Sequence, residues 1–178
     1  WLVLPAFAQD GASPAQLLTW EEVVVRPELW PRKCTLSQGG SWGEHKVAAG
    51  TEVEIFRIEK DNLLIVLPGV QATGTLPVHR TDVQDRAMGA YQALSPVQRA
   101  LTCKEIAAHP ELWPPTVILL RPLFGKDKSE VLLAEGAELD FGFFDGERVS
   151  LMHRTMGGLP GLHAFHTDFF ERVRKAFD

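Results

Sequence analysis

The 178-residue sequence lacks an excess of positive charge: 18 Lys and Arg stand against 23 Asp and Glu, for a net charge of −5 at pH 7. General nucleic-acid binding needs a basic face for the phosphates, so this balance argues against nucleic acid as a partner. The sequence also lacks an apolar run of about 18 residues, the length that crosses a bilayer as a helix. At 45% hydrophobic and 23% charged residues, the composition is typical of a folded globular protein.

Cysteines and catalytic motifs are scarce as well. Cys34 and Cys103 are the only cysteines; they permit one disulfide in an exported chain and are equally compatible with small buried apolar positions. No serine lies in a Gly-x-Ser-x-Gly elbow. The glycine-rich segment TMGGLPG precedes a predicted strand and lacks the Lys and the following helix of a phosphate-binding loop. The sequence therefore predicts no catalytic residue and no cofactor.

The N-terminal residues WLVLPAFAQD form an apolar stretch that passes through Ala6-Phe7-Ala8 and turns polar at Gln9. Small residues after an apolar stretch are the pattern of a signal-peptide cleavage site. This pattern predicts an exported protein, periplasmic or extracellular, with residues 1–12 as a signal-peptide remnant or a short N-terminal segment. The alternative is that residues 1–8 form a genuine strand or docking segment.

The pentapeptide PELWP occurs twice, at Pro27–Pro31 and Pro110–Pro114. The agreement extends in both directions, because SPAQLLTWEEVVVRPELWP faces SPVQRALTCKEIAAHPELWP, AAGTEVEIF faces LAEGAELDF, and HRTDVQDR faces FHTDFFERVR. An internal repeat of this length is the signature of a tandem duplication. We therefore predict a first half at 13–94 and a second half at 95–178, each with a helix and a small β unit, and with one strand order in common.

Helix signals open and close each half. Ser-Pro-x-Gln and, a few residues later, Thr-x-x-Glu are capping patterns that predict one helix or two short helices, which the Pro of PELWP then ends. The large indoles of Trp30 and Trp113 predict buried plugs between each β unit and its preceding helix. Thr-Asp pairs then predict the cap of a closing helix in each half; these are Thr81, Asp82, Thr167 and Asp168.

The segments TEVEIFRI and AELDFGFF alternate apolar with acidic or small residues, a period typical of half-buried antiparallel strands. In the second segment this period predicts that Leu139, Phe141 and Phe143 face the interior. Hairpin turns follow at KDN and at Asp145-Gly146, and a further short strand leads into each Thr-Asp pair. Four or five short strands, a wide loop after the first strand and a closing helix indicate a small barrel.

The strand regions, roughly residues 34–80 and 116–166, resemble the bacterial Src-homology-3-like barrels that occur in tandem in cell-envelope proteins. The resemblance is carried by AAGTEVEIF, the hairpin after it and the strand that enters Thr-Asp. It implies an α+β, mainly β fold of two tandem Src-homology-3-like barrels, each flanked by short helices. It also implies a non-enzymatic binding or scaffold protein that recognises an envelope protein or a cell-wall component, with an accessory subunit of a larger envelope complex as an alternative.

The predicted loop after the first strand of the first half, SQGGSWGEHKVAAG, carries Trp42 and His45, and Phe124 stands in the corresponding loop of the second half. In a barrel of the resembled type this loop borders the ligand groove. Aromatic residues there can stack on a Pro or a sugar of a partner, so we predict these three residues as binding residues. The alternative is that Trp42 folds back over its own barrel.

The segment MHRTMGGLPGLHAFHTD contains His153, His163 and His166, which as zinc ligands would make the protein a metal-dependent hydrolase. However, His163 and His166 are three residues apart on a predicted strand, which directs their side chains to opposite faces. His79 in the first half aligns with Phe165 and not with His166, so the histidine changes position between the halves. We therefore predict no metal site, and keep the hydrolase as the alternative.

A single residue, Leu94, separates the closing helix of the first half from the Ser95 cap of the second. A connection of this length leaves no flexible linker. We therefore predict that the halves pack into one rigid unit, with Cys103 near their junction.

Overall fold

The computed structural model describes residues 18–70, 72–125 and 130–177; the predicted signal segment at 1–12 lies outside them. The first half contains α1 (Trp20–Val24), β1 (Lys33–Thr35), β2 (Gly40–Trp42), β3 (His45–Val47), β4 (Glu52–Glu59), β5 (Asn62–Val66), β6 (Thr73–Pro77) and α2 (Val83–Ala93). The second half contains α3 (Pro96–Ala100), α4 (Cys103–Ala108), β7 (Thr116–Ile118), β8 (Leu123–Phe124), β9 (Val131–Leu133), β10 (Glu138–Phe144), β11 (Arg148–His153), β12 (Gly157–His163) and α5 (Phe169–Lys175). Short 3₁₀ turns lie at Pro27–Leu29, Val78–Arg80, Pro110–Leu112 and Ala164–His166.

The two halves have the same strand order, as predicted. The sheet of the first half runs β1-β4-β5-β6 and that of the second runs β7-β10-β11-β12, with antiparallel neighbours throughout. The predicted wide loop after the first strand is instead a second small sheet, the hairpin β2–β3 or β8–β9. The fold is therefore α+β and mainly β, and in the described parts of the chain neither four-stranded sheet closes into a barrel.

A β-bulge interrupts the central strand of each sheet and corrects one sequence prediction. In β10 the register shifts between Phe141 and Phe143, so Phe143 turns outward and is 55% exposed while Phe144 is fully buried. In β4 the register shifts at the corresponding place, and the extra residue is Phe56 where the second half has Gly142. A bulge redirects the side chain it inserts, and here it directs Phe56 away from the core of its own sheet.

The PELWP segments end the opening helices as 3₁₀ turns whose indoles reach back to those helices. The indole N–H of Trp30 donates to the carbonyl of Val23, and that of Trp113 to the carbonyl of Ile106, both at 2.8 Å. Both Trp side chains are half-buried, so they are less enclosed than the sequence suggested. The predicted capping boxes are present at Thr19 and at Ser95, and α3 and α4 are two separate short helices.

The aspartates of the Thr-Asp pairs do not have the predicted role of helix caps. The carboxylates cap no helix N–H; Asp82 Oδ1 instead accepts from the backbone N–H of Thr35, and Asp168 Oδ1 from that of Ile118, both at 2.7 Å. Each Asp therefore ties the closing helix to the first strand of its own sheet. The position of each Asp at the start of a helix indicates a cap, since the sequence does not show that the first strand lies beside it.

The threonines supply the cap, and they bring the chain back to the first strand. The hydroxyl oxygens of Thr81 and Thr167 each accept from the N–H two residues on, at 3.3 Å in both halves. Single β-bridges join Leu36 to Thr81 and Leu119 to Thr167. The segment that follows the last strand of each sheet thus returns to the end of the first strand.

The halves have separate cores that meet at one aromatic side chain. Phe165, from the last 3₁₀ turn of the second half, is packed in the core cluster of the first half, with its ring edge-on to Trp30 at 5.4 Å. In the second half the equivalent Trp113 has its edge-on partners within the same half, Phe143 at 5.4 Å and Phe141 at 5.6 Å. The predicted place of Cys103 at the junction is confirmed, because its Sγ donates to Glu28 at 2.9 Å. No helix among the described residues has the length and apolar character to cross a membrane.

Candidate binding cleft between the two halves

The aromatic residue of the first hairpin packs on its own sheet. The indole N–H of Trp42 donates to the carbonyl of Thr75 at 3.0 Å, and a Cβ atom at Gly74 would lie 2.6 Å from that nitrogen. Gly74 therefore has to lack a side chain for the indole to lie against the edge of β6. His45, which pairs with Trp42 across the hairpin, is exposed, so neither residue borders a cavity with Phe124.

Phe124 instead lines a cleft at the junction of the two halves. The cleft has a volume of about 330 Å³, which lies within the size range of ligand sites. Its walls are mostly apolar and come from both sheets and from the second hairpin; they include Phe56, Val66, Leu119, Leu123, Phe124 and Leu162. Of the three predicted binding residues, the structure thus places one in an apolar cleft between the halves.

Arg121 forms one wall of this cleft and contacts Phe56, Glu54 and His166, whose Nε2 lies 3.3 Å from Nη1 of the arginine. Its guanidinium carbon lies 4.6 Å above the ring of Phe56, and Nη2 is 3.1 Å from a carboxylate oxygen of Glu54, with only 14% of the Arg121 side chain exposed. Burial lowers the pKa of Arg121, and the Glu54 carboxylate opposes that shift. The charge of the arginine is therefore already matched within the protein.

His166 forms the adjoining wall, and its position corrects the predicted strand. The residue lies in the 3₁₀ turn Ala164–His166, and not on β12, so its ring comes within 5.7 Å of the His163 ring instead of pointing away from it. Nε2 is 3.1 Å from the carbonyl oxygen of Phe56 and 3.3 Å from Nη1 of Arg121, so the contacts of this nitrogen lie within the protein. Burial, and then the neighbouring Arg121, lower the pKa of His166 to about 4.

The histidines and cysteines show no arrangement suited to metal or covalent chemistry. Among residues 18–70, 72–125 and 130–177, no group of three or more His, Cys, Asp or Glu side chains is placed to hold a metal ion. His163 lies 3.3 Å from Glu147, and His153 bonds to a neighbouring threonine. Both cysteines are buried free thiols, and burial raises the pKa of Cys34 to about 11.

Sequence reasoning did not identify Phe56 and Arg121, although a signal was present. The duplicated sequence places Gly142 opposite Phe56 and Gln38 opposite Arg121. Residues shared by both halves build the common scaffold, whereas Phe56 and Arg121 line the cleft at positions where the halves differ. Positions of difference in a tandem repeat were therefore the better guide to this site.

No family model matches this sequence, and no curated protein matches it closely enough to count as a relative. The cleft therefore has to be interpreted from its own geometry.

Acidification is expected to destabilise the protein through His166. Its folded-state pKa of about 4 lies below the value of 6.5 for an unperturbed imidazole, so the unfolded chain binds the proton more strongly. The contribution of neutral His166 to the free energy of unfolding is complete above pH 6.5 and is lost as the pH falls through 4. The loss amounts to about 3 kcal/mol. Urea unfolding at a series of pH values measures this loss.

Carboxylates contribute to the same pH range, so the test is the difference between variants. His166→Gln is expected to flatten the dependence between pH 4 and 6.5, whereas His45→Gln, at an exposed position, should retain the wild-type slope. Equal slopes for the wild type and His166→Gln would contradict the assignment.

Proposed function

We propose that the protein is an exported, non-enzymatic binding protein that recognises an envelope protein or a cell-wall component in the cleft between its two halves. The observation that carries this proposal is the apolar cavity of about 330 Å³ at the junction. Sites for small ligands and side chains are concave and mostly apolar, with a few fixed polar groups. Arg121 and His166 are such groups, since contacts with Phe56 hold both in place.

We further propose that each half is a Src-homology-3-like unit. The support is the small antiparallel sheet, the hairpin inserted after its first strand, and the return of the chain to that strand through Thr81 or Thr167. Two such units in tandem would explain why the ligand site lies between them, because each contributes one wall of the cleft. A scaffold role in a larger complex uses the same surface.

The test is whether small probes enter the cleft. We expect 4-methylphenol, indole or triacetylchitotriose to shift the backbone amide NMR signals of residues that line it, such as Thr73 and Gly125. Thr73→Trp, at an exposed position on the rim, should fill the entrance and weaken this binding by about tenfold or more. The probes stand for an aromatic side chain and for a cell-wall glycan.

Thr75→Trp is the matched control, because Thr75 is exposed on the same strand but does not line the cleft. It should bind the probes as the wild type does. If none of the probes shifts the cleft signals, or if both variants bind unchanged, the cleft is not a binding site and the proposed function fails.

A further inference from the structure

The two hairpins have equivalent positions but expose opposite kinds of side chain. In the first half, β3 exposes His45 and Lys46. In the second half, the equivalent residues of β9 are Val131, which is 49% exposed, and Leu132, which is 36% exposed. Two exposed apolar side chains on β9, at positions that are polar on β3, indicate a surface that a binding partner covers.

This apolar strand is continuous with the cleft. Val131 pairs with Phe124 across the hairpin, and directly paired residues of an antiparallel ladder project from the same face. Phe124 lines the cleft, so the apolar surface extends from the cavity to Val131, and Leu132 is the neighbouring residue that the register shift leaves unpaired. In the first half the equivalent pairing is that of His45 with Trp42, whose indole is packed on Gly74.

The charges of the cleft favour an uncharged occupant. Among the described residues that line it, the one cation is Arg121. It is paired with Glu54 at 3.1 Å, so an anionic group would have to compete with that carboxylate. Nε2 of His166 also has its partners within the protein, the Phe56 carbonyl and Nη1 of Arg121. A glycan needs hydrogen-bond partners around its hydroxyl groups, and the remaining lining is largely aliphatic or aromatic.

We infer that the occupant is a protein segment that is apolar and uncharged, with a Leu, Met or aromatic side chain seated in the cleft and its neighbours lying over Val131 and Leu132. This inference rests on the proposed function and names the class of ligand for the same site. The cavity provides the anchor pocket, and the hairpin provides the additional apolar area that distinguishes a protein segment from a small molecule.

Two sets of probes test it by NMR titration. One set consists of short Ser/Gly peptides with a central Leu-Phe pair, and of the same peptides with a central Asp-Asp or Lys-Lys pair; the other is triacetylchitotriose. We expect the Leu-Phe peptide to shift the cleft signals with a dissociation constant about tenfold or more below those of the charged peptides and the glycan.

The duplication supplies the matched variant. Val131→His combined with Leu132→Lys places the residues of the first hairpin on the second, so the fold is expected to tolerate it and the melting temperature should not change. Binding of the Leu-Phe peptide should weaken about fivefold or more. Val97→Ser, which removes an apolar side chain that is 42% exposed elsewhere, should bind as the wild type does.

Three outcomes would overturn the inference. Preferential binding of the glycan or of a charged peptide in the cleft would leave the proposed function standing and refute the apolar occupant. If the double variant binds the peptide as the wild type does, the hairpin is not part of the binding site. If no probe binds in the cleft, the proposed function and the inference are both refuted.

Discussion

Glu28→Ala is expected to lower the free energy of unfolding by about 4 kcal/mol, because it leaves the largely buried guanidinium of Arg26 without its partner. The Glu28 side chain is 1% exposed, with Oε1 2.7 Å from Nε of Arg26 and Oε2 2.9 Å from Sγ of Cys103. Arg174 donates to the backbone carbonyl of the same residue. One carboxylate therefore holds together groups from both halves, and equilibrium urea unfolding measures its loss.

The second PELWP segment provides the control within the same molecule. Glu111 occupies the same place in the motif but is exposed, where it pairs with His109 at 2.8 Å. Glu111→Ala should leave the unfolding midpoint unchanged, since exposed ion pairs contribute little. Equal destabilisation by the two substitutions would mean that the motif itself, and not the junction, requires the carboxylate.

Phe165→Ala is expected to cost about 4 kcal/mol and also to uncouple the halves. The side chain is 8% exposed and belongs to the core of the other half, against Trp30. The wild type should unfold in a single calorimetric transition, because this contact and the Glu28 cluster join the two cores. In the variant we expect the transition to broaden or to separate into two.

His79→Ala is the matched substitution, because His79 aligns with Phe165 and is exposed. It should leave both the melting temperature and the width of the transition unchanged. Two transitions already in the wild type would show that the halves fold independently and that the Phe165 contact does not couple them.

The elements of this fold were predictable because their signals are local and occur twice. The caps at Thr19 and Ser95 and the common strand order follow from short patterns in each half. The bulge that exposes Phe143 was not predictable, because alternation in one strand cannot show where its partner gains or lacks a residue. The bond from Asp82 to the first strand was missed for the same reason, since it joins residues far apart in sequence.

The candidate site was less predictable still, because it belongs to the contact between the halves. Phe124 was identified from its position in a loop, whereas Phe56 and His166 become wall residues only when the second sheet packs beside the bulge of the first. A pattern within one repeat contains no information on how two repeats pack. For Trp42 the limit is of another kind. The glycine-rich sequence around it is the same whether the indole faces a ligand or its own sheet, and in the structure it packs on its own sheet.

The different partners of Trp30 and Trp113 bear on how far this architecture can be extended. The contact between the halves joins two unlike surfaces, and contacts of that kind can in principle be repeated indefinitely by adding further units. The edge-on ring against Trp30 comes from the following unit, whereas the one against Trp113 comes from Phe143 of its own unit. The second unit thus provides the aromatic partner of its own Trp, whereas the first obtains that partner from the next unit. In this respect the second unit resembles the terminal caps of solenoid proteins. A further unit that packed on Trp113 as the second packs on Trp30 would have to displace Phe143.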